Sequence, residues 1–573
     1  MLAKKRNRRS VYYKMKNHSQ ILKDHFFQNL ENTLSLCKVR LNPETALLER
    51  SAYIGLDDPG YYGCFYPSLV LGYYMPDSPH YHDKTLLEYA IALLEKYETY
   101  IHEDGSVDLI ETNFHDPAQT GFHVKAYFTT TAVLTKFSEH TALEDELFEI
   151  VKRILSKMGE AMATLGFHTP NHRWVISAGL SIAYQYTQNS KFMEAIDRFL
   201  MEGIDCDENG EYTERSTGSY NLICDHAFTV MAYFLHDETY LEYPRRNLNL
   251  MFSFTEPDLT VNTLNSTRWD QGGKYNIAPY YSFYLLLALW DKNPEFAYMA
   301  DTILDRFDFT TAISIYHCDL LSFFLLFPEM EERQNQIASK APAKNQTKFL
   351  PKSNIARIYK PEHDLVITLL GTRHPVFLQM NYGSSILQVR YAGSFFGDPH
   401  SQFRAREIVP TEDGFRLICD ESAGYRSQFD EKPETSDWRR MDHSKRKIIN
   451  IQNFHTEITV HITEDGAVLD IETSGCERIP TKLEFVVTPG GKLDTDTFAA
   501  YTKAGDYLFL KKGGARYFLD TRRYFEIEGG FFSHTYAEHM RGAFPADEKM
   551  ATLAMTATTP QRSTVAIHAK TIY

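Results

Sequence analysis

The sequence predicts an α+β multidomain protein in which an N-terminal (α/α) helical toroid is followed by an antiparallel β-sandwich. Three observations carry that reading. The 573 residues exceed what one hydrophobic core serves, because single cores stop growing at roughly 250 to 300 residues. Apolar residues recur at helical spacing over the first part of the chain and at strand spacing over the last. Between the two parts lies a polar stretch that carries two prolines.

The helical part runs from about residue 17 to 330. Leu86, Ala90, Leu93 and Tyr97 make one helical stripe, and Leu147, Val151, Ile154 and Met158 make another. Apolar segments near 175–186, 222–235, 277–290 and 318–327 are long enough for buried helices. Connections bearing Gly, Pro and Asn separate them, which predicts helical hairpins closing into a toroid over residues 1–330. Residues 331–353 are rich in Gln, Lys, Asn and Ala, hold Pro342 and Pro351, and read as a linker. Residues 354–573 then alternate short runs of β-branched and aromatic residues with turns. Leu365 to Leu370, Ile386 to Tyr391, Ile458 to Ile462, Val468 to Ile471, Leu483 to Val487 and Tyr507 to Leu510 are such runs. A β-sandwich accommodates that pattern.

The formal net charge of -15 opposes non-specific binding to nucleic acid or to anionic membranes, since both require a positive field. No stretch is long and apolar enough to cross a bilayer. A local basic cleft remains compatible with an acidic ligand, because each charge is screened beyond about 10 Å. The first 20 residues are basic but lack the apolar core of a secretory signal. Seven scattered cysteines without Cys-x-x-Cys spacing fit reduced thiols, so a cytoplasmic location is expected. The aromatic content of 14% suits a sugar-binding cleft, although aromatic residues serve cores equally well. Nothing in the sequence fixes an oligomeric state.

Polar clusters without helical periodicity mark the candidate site, because loops on a rigid scaffold commonly carry function. One holds Asn113, His115, Asp116 and Gln119, all suited to bonding sugar hydroxyls. A second is Asn171-His172-Arg173-Trp174 at the start of a helix. The third runs from Glu211 through Arg215 and Tyr220 to Asn221, with His226 further along, and the fourth runs from Asn265 through Arg268 and Trp269 to Asp270. Met380-Asn381-Tyr382-Gly383-Ser384 opens a strand pattern in the second domain.

The Asn171-His172 pair, the later Gly218-Ser219-Tyr220 and the Asn381-Tyr382-Gly383-Ser384 segment resemble motifs of the heparinase II/III-like and alginate lyase-like polysaccharide lyases. That resemblance implies a helical toroid with a β-sandwich, and β-elimination at a uronic acid within an acidic oligosaccharide. It implies Tyr220 as the proton-transfer residue, with Asn171 and His172 holding and activating the uronate. A phenol is a poor base at neutral pH unless cations stand nearby, and His172, Arg215 and His226 are candidates for that help. Arg215, His115, Asn113, Gln119, Trp174, Arg268, Trp269 and His226 are the expected substrate-binding residues.

The sequence departs from the family pattern in its second domain. Tyr382 stands where members carry a catalytic histidine, and Ser384 stands where a zinc ligand is expected. Asp398 with His400 does not complete a metal set. The expectation is therefore no metal and no cofactor, with Tyr382 a candidate catalytic replacement. Two other readings stay open. A glycoside hydrolase would use two carboxylates, for which Glu211, Glu214, Asp225 and Asp270 are available. An inactive carbohydrate-binding protein would retain the cleft without turnover.

Overall fold

The computed structural model describes residues 13–44, 58–308, 314–342, 347–371, 374–518, 520–537 and 539–572. The chain divides into two compact units: Met1–Phe252 with Ser266–Pro342, and Ser253–Asn265 with Ala343–Tyr573.

The first unit is an (α/α) toroid of helical hairpins. Ala142–Thr164 turns into Pro170–Thr187, Tyr220–Phe234 is followed by Glu242–Phe254, and Tyr281–Asp291 returns as Pro294–Arg306. Start signals in the sequence account for the boundaries. Thr141 and Glu144 form a reciprocal capping box, while Asp83, Asp116, Asn189 and Asn293 each accept backbone N–H groups at the start of their helices. Apolar character decides depth. Tyr281–Asp291 and Ile315–Leu326 are apolar nearly all round and bury most of their residues, whereas Ser190–Met201 buries Phe192, Ala195 and Ile196 along one face.

The second unit is a sandwich of two sheets, eight and nine strands wide among the described residues. In the first sheet the strands Ala551–Thr558, Pro480–Val487, Ser385–Gly393, Val376–Tyr382, Leu365–Leu370 and Ile355–Lys360 lie side by side and antiparallel. The second centres on Gly414–Arg426, Ile448–Ile462, Gly466–Gly475 and Gln561–Thr571. Ile367, Met380, Leu387 and Val389 from one sheet share a core with Leu417, Ile458, Leu469 and Ile567 from the other.

The division differs from the sequence reading in two segments. The stretch 331–353, expected as a linker, holds the end of the helix Glu329–Arg333 and the strands Ala338–Ser339 and Thr347–Leu350, and it is split between the units after Pro342. Ser253–Asn265, which precedes the expected linker, clusters with the sandwich. Its Glu256 pairs at 2.9 Å with Arg357 of the strand Ile355–Lys360, and both side chains are almost fully buried. Arg357 also donates to the Ser253 carbonyl at 2.9 Å. Removing either partner would strand a buried charge, a loss typically of about 3 to 5 kcal/mol. Long-range pairing of this kind leaves no periodic trace in a sequence.

Candidate active site

The site is built at the N-terminal ends of inner helices. Tyr220 is the first residue of Tyr220–Phe234, and Asn171 is the second of Pro170–Thr187, against which that helix packs. The helix Pro117–Tyr127 packs on the same neighbour, and its Phe122 meets His172 edge to face at 6.1 Å. Helix N-termini carry partial positive charge and unpaired N–H groups, so their convergence favours an anionic ligand.

The connection before Tyr281–Asp291 closes over these ends. Thr267 bonds the Glu214 carbonyl through its N–H at 3.1 Å and its hydroxyl at 3.0 Å. The fully buried Asp270 accepts the Gly218 N–H at 3.0 Å and the Ser266 hydroxyl. A Cβ at Gly218 would stand 2.8 Å from the Tyr275 ring and 2.9 Å from the Asp270 carboxylate, so this close approach requires glycine.

The closure brings four predicted residues together. Trp269 donates its indole N–H to the Tyr220 hydroxyl at 3.0 Å, and the Arg268 guanidinium lies 5.0 Å from the centre of the Tyr220 ring. Arg268 Nε is 3.3 Å from Glu214 Oε1, while Glu214 Oε2 accepts the Asn171 amide at 2.8 Å. Asn171 donates its second N–H to the Thr169 hydroxyl at 3.0 Å, so both of its donors are engaged. Its carbonyl oxygen, His172 Nδ1 and both polar atoms of the Asn221 side chain have no hydrogen-bond partner among the described residues. Orphaned buried polar atoms are rare in folded proteins, so these residues make this region the candidate site. Trp269 is 67% exposed and presents an open ring beside the Tyr220 hydroxyl.

Burial sets the protonation states here. It raises the Glu214 carboxyl above the usual range, against the Asn171 hydrogen bond and the Arg268 charge. It pushes the His172 imidazole down to about 4, against the attraction of Asp116, so the ring is neutral at pH 7.

The remaining predicted residues have local partners of their own or are buried elsewhere. Asn113 donates to Asp116 at 3.0 Å, and Gln119 bonds His123 at 2.9 Å, so both are occupied locally. His115 is exposed, stacks on His102 at 4.0 Å and pairs with Asp104 at 2.7 Å. Arg215 sits beside Glu214 in the left-handed region with φ 52°. Three expectations need correction. Trp174 is fully buried, with its indole N–H on Asp205 at 2.7 Å, and has no face for a sugar. His226 is buried between Lys125 and Asp319, two turns below Tyr220. Tyr382 is 5% exposed inside the sandwich, its hydroxyl bonded to Thr571 and its ring against Phe525, so it packs a core. Asn221 and Phe122 lie within the polar segments that the sequence singles out, at their ends, although neither carries an individual role there.

Ser384 is exposed, and His400 is paired with Glu421. No cluster of three His, Cys, Asp or Glu side chains that could hold a metal ion occurs among the described residues.

No protein-family model matches the chain, and no curated protein matches it in sequence. Solved structures do match its three-dimensional arrangement. A heparan sulfate lyase mutant from Pedobacter heparinus aligns with a TM-score of 0.51 at 10% identity, over 90% of this chain and 78% of that one. A chondroitin AC lyase from Streptomyces coelicolor, solved with chondroitin sulphate, aligns at 0.51 and 8%, over 97% and 83%. A Paenibacillus xanthan lyase aligns at 0.53 and 8%, covering 97% of this chain but 56% of that larger one. The chain shares the fold of these three solved lyases. Within that fold the cluster around Tyr220 is the candidate active site, and no described helix is long and apolar enough to cross a membrane.

Proposed function

We propose that the protein is a lyase that cleaves uronic-acid-containing oligosaccharides or polysaccharides by β-elimination, with Tyr220 moving the proton. One observation carries the reading: the Tyr220 hydroxyl, at the positive end of a helix, receives the Trp269 N–H while the Arg268 guanidinium overlies its ring. The Trp269 N–H fixes the direction of that hydroxyl and leaves its remaining lone pair and proton free for a substrate. In the elimination the proton leaves C5, α to the uronate carboxylate. The C–H electrons form the C4–C5 double bond, and the C4–O electrons leave with the glycosidic oxygen, which takes a proton. Tyr220 can accept the first proton and return it to the leaving oxygen when both lie on one face of the ring.

The uronate carboxylate is the electron sink, and Asn171 stabilises the charge that develops on it. Its donors are engaged by Glu214 and Thr169 in the free protein. In the reaction an Asn171 N–H turns from Glu214 to the uronate as enolate charge develops. The helix N-termini add attraction that the net charge of -15 would otherwise deny. Asp270 and Asp225 are fully buried and hydrogen-bonded, which weakens the two-carboxylate hydrolase. Seven thiols, none paired with another, fit a reducing compartment, and a cytoplasmic location completes the proposal.

The test is incubation with a panel of uronic-acid oligosaccharides, followed by ultraviolet absorbance and mass. Elimination yields products with an absorbing double bond conjugated to the carboxylate. Cleavage without that absorbance would make the protein a hydrolase, and binding without turnover would make it an inactive carbohydrate-binding protein.

A further inference from the structure

A second cavity, of about 100 Å³, lies within the helical unit. On the helix Tyr220–Phe234 its lining begins at His226 and ends at Phe234, so it starts about 9 Å along the axis from Tyr220. Its walls are mostly apolar, with Phe283, Tyr316, Phe323 and Phe327 supplying aromatic surface. Thr229 and Ser322, also in the lining, spend their hydroxyls on carbonyls of their own helices. Asp319 differs. Its carboxylate lines the cavity with 23% of the side chain exposed.

The carboxylate has spare accepting capacity. One oxygen accepts the Thr129 hydroxyl at 2.5 Å, and the other accepts from His226 Nε2 at 2.8 Å. Each carboxylate oxygen can take two hydrogen bonds, so a direction remains open on each. Among the described residues, Lys125 Nζ lies 2.7 Å from His226 Nδ1, behind the ring, and Lys136 Nζ donates to the carbonyl of the lining residue Leu326. When Lys125 donates to Nδ1, the imidazole is a neutral relay with Nε2–H toward Asp319. Burial pushes His226 down to about 4 and Lys125 down to about 7, so neither supplies a full counter-charge at neutral pH. A carboxylate that faces an apolar, aromatic cavity and has no Lys or Arg bonded to it among the described residues is complementary to an organic cation.

We propose that this cavity is a binding site for a small primary alkylammonium ion, its head on Asp319 and its chain against Phe283, Tyr316 and Phe323. An apolar cavity of about 150 Å³ holds benzene, so this one accommodates roughly four heavy atoms. The site is independent of the lyase reading.

Propylammonium is the probe, with 1-propanol and propionate for comparison, and binding is followed by ligand-observed NMR at pH 8. Propylammonium binds at least tenfold tighter than 1-propanol, and propionate does not bind. Asp319→Asn removes the preference for the cation, and Leu286→Phe, which fills the cavity while keeping the carboxylate, abolishes binding. Tyr220→Phe leaves it unchanged. Equal binding of propylammonium and 1-propanol, no binding of either, or binding that survives Leu286→Phe overturns the proposal. If Asp319→Asn does not fold, the comparison of ammonium with alcohol on the unaltered protein decides.

Discussion

Tyr220 and Tyr382 stand at the two positions to which the motif resemblance points, and their surroundings differ in kind. Tyr220 opens a helix, is half-buried, and has its hydroxyl between an indole N–H and solvent, with a guanidinium over the ring. Tyr382 ends a strand inside the sandwich, its hydroxyl closed against Thr571 and its ring edge-to-face with Phe525. Around Tyr220 several polar atoms lack partners, on Asn171, His172 and Asn221. Around Tyr382 the polar atom is satisfied and the rest is packing. A short motif thus locates a position on the fold, and the free hydrogen-bonding capacity around that position decides whether chemistry can occur there.

The contrast breaks most readily at Tyr220. Tyr220→Phe removes one oxygen and keeps the ring under Arg268, so the fold should persist. The expected loss in kcat on a cleavable uronide is about 10² to 10⁴-fold, the range for losing a general acid or base. Near-normal turnover would remove Tyr220 from the mechanism. Asn171→Ala comes next, with kcat lower by about 10²-fold from loss of a donor at the developing enolate. It also strips Glu214 of its amide partner, so a drop in stability of about 1 to 3 kcal/mol should accompany it. Steady-state kinetics and a urea titration on the same preparation separate the two effects.

Much of the fold was legible because period is a direct record of burial. The run Leu365 to Leu370 is a strand with those same ends, since all six side chains are buried and β-branched or long apolar residues fill it. The stripes at Leu86 and Leu147 lie on the helices Lys84–Glu98 and Ala142–Thr164. The strand Ile448–Ile462 was legible only from Ile458 onward: residues 448–453 have no buried side chain, and although burial alternates from Phe454, the polar His455, Thr456 and Glu457 hide that alternation from a search for apolar runs. The site was legible as a set of loops, and Tyr220, Asn171, Arg268 and Trp269 do meet. Their pairing through Glu214 was not legible, because Asn171 and Glu214 are 43 residues apart and a buried contact leaves no mark on spacing. Trp174 misled for the opposite reason. A tryptophan at a polar helix start looks the same in sequence whether it faces a cleft or Asp205.

The same burial that readies His172 should make the protein acid-sensitive. His123, His172, His226, His317 and His374 are each pushed down to about 4 by burial. Between the unfolded value near 6.5 and about 4, the unfolded chain binds protons that the native state does not. Stability is therefore lost as pH falls through that window and is insensitive to these groups above pH 7. The slope should be on the order of 1 kcal/mol per histidine per pH unit at its steepest. Urea midpoints at pH 7.5, 6 and 5 check the sign, and a midpoint that rises on acidification would contradict it.

The smallest effect is expected at Tyr382, and it sharpens the comparison by being confined to stability. Tyr382→Phe keeps the ring against Phe525 and under Arg523, whose guanidinium is 5.6 Å from its centre. It removes one neutral hydrogen bond, leaving the Thr571 hydroxyl near the chain end to find water or its own backbone. A single such bond contributes about 1 kcal/mol net, and Thr571 sits at the end of its strand where solvent is close, so the cost should lie at or below that figure. Turnover should be unchanged, in kcat and in KM alike. A loss of kcat beyond tenfold with the urea midpoint intact would mean that the hydroxyl acts on substrate after leaving the core, and Tyr382 would then join Tyr220 as a catalytic residue.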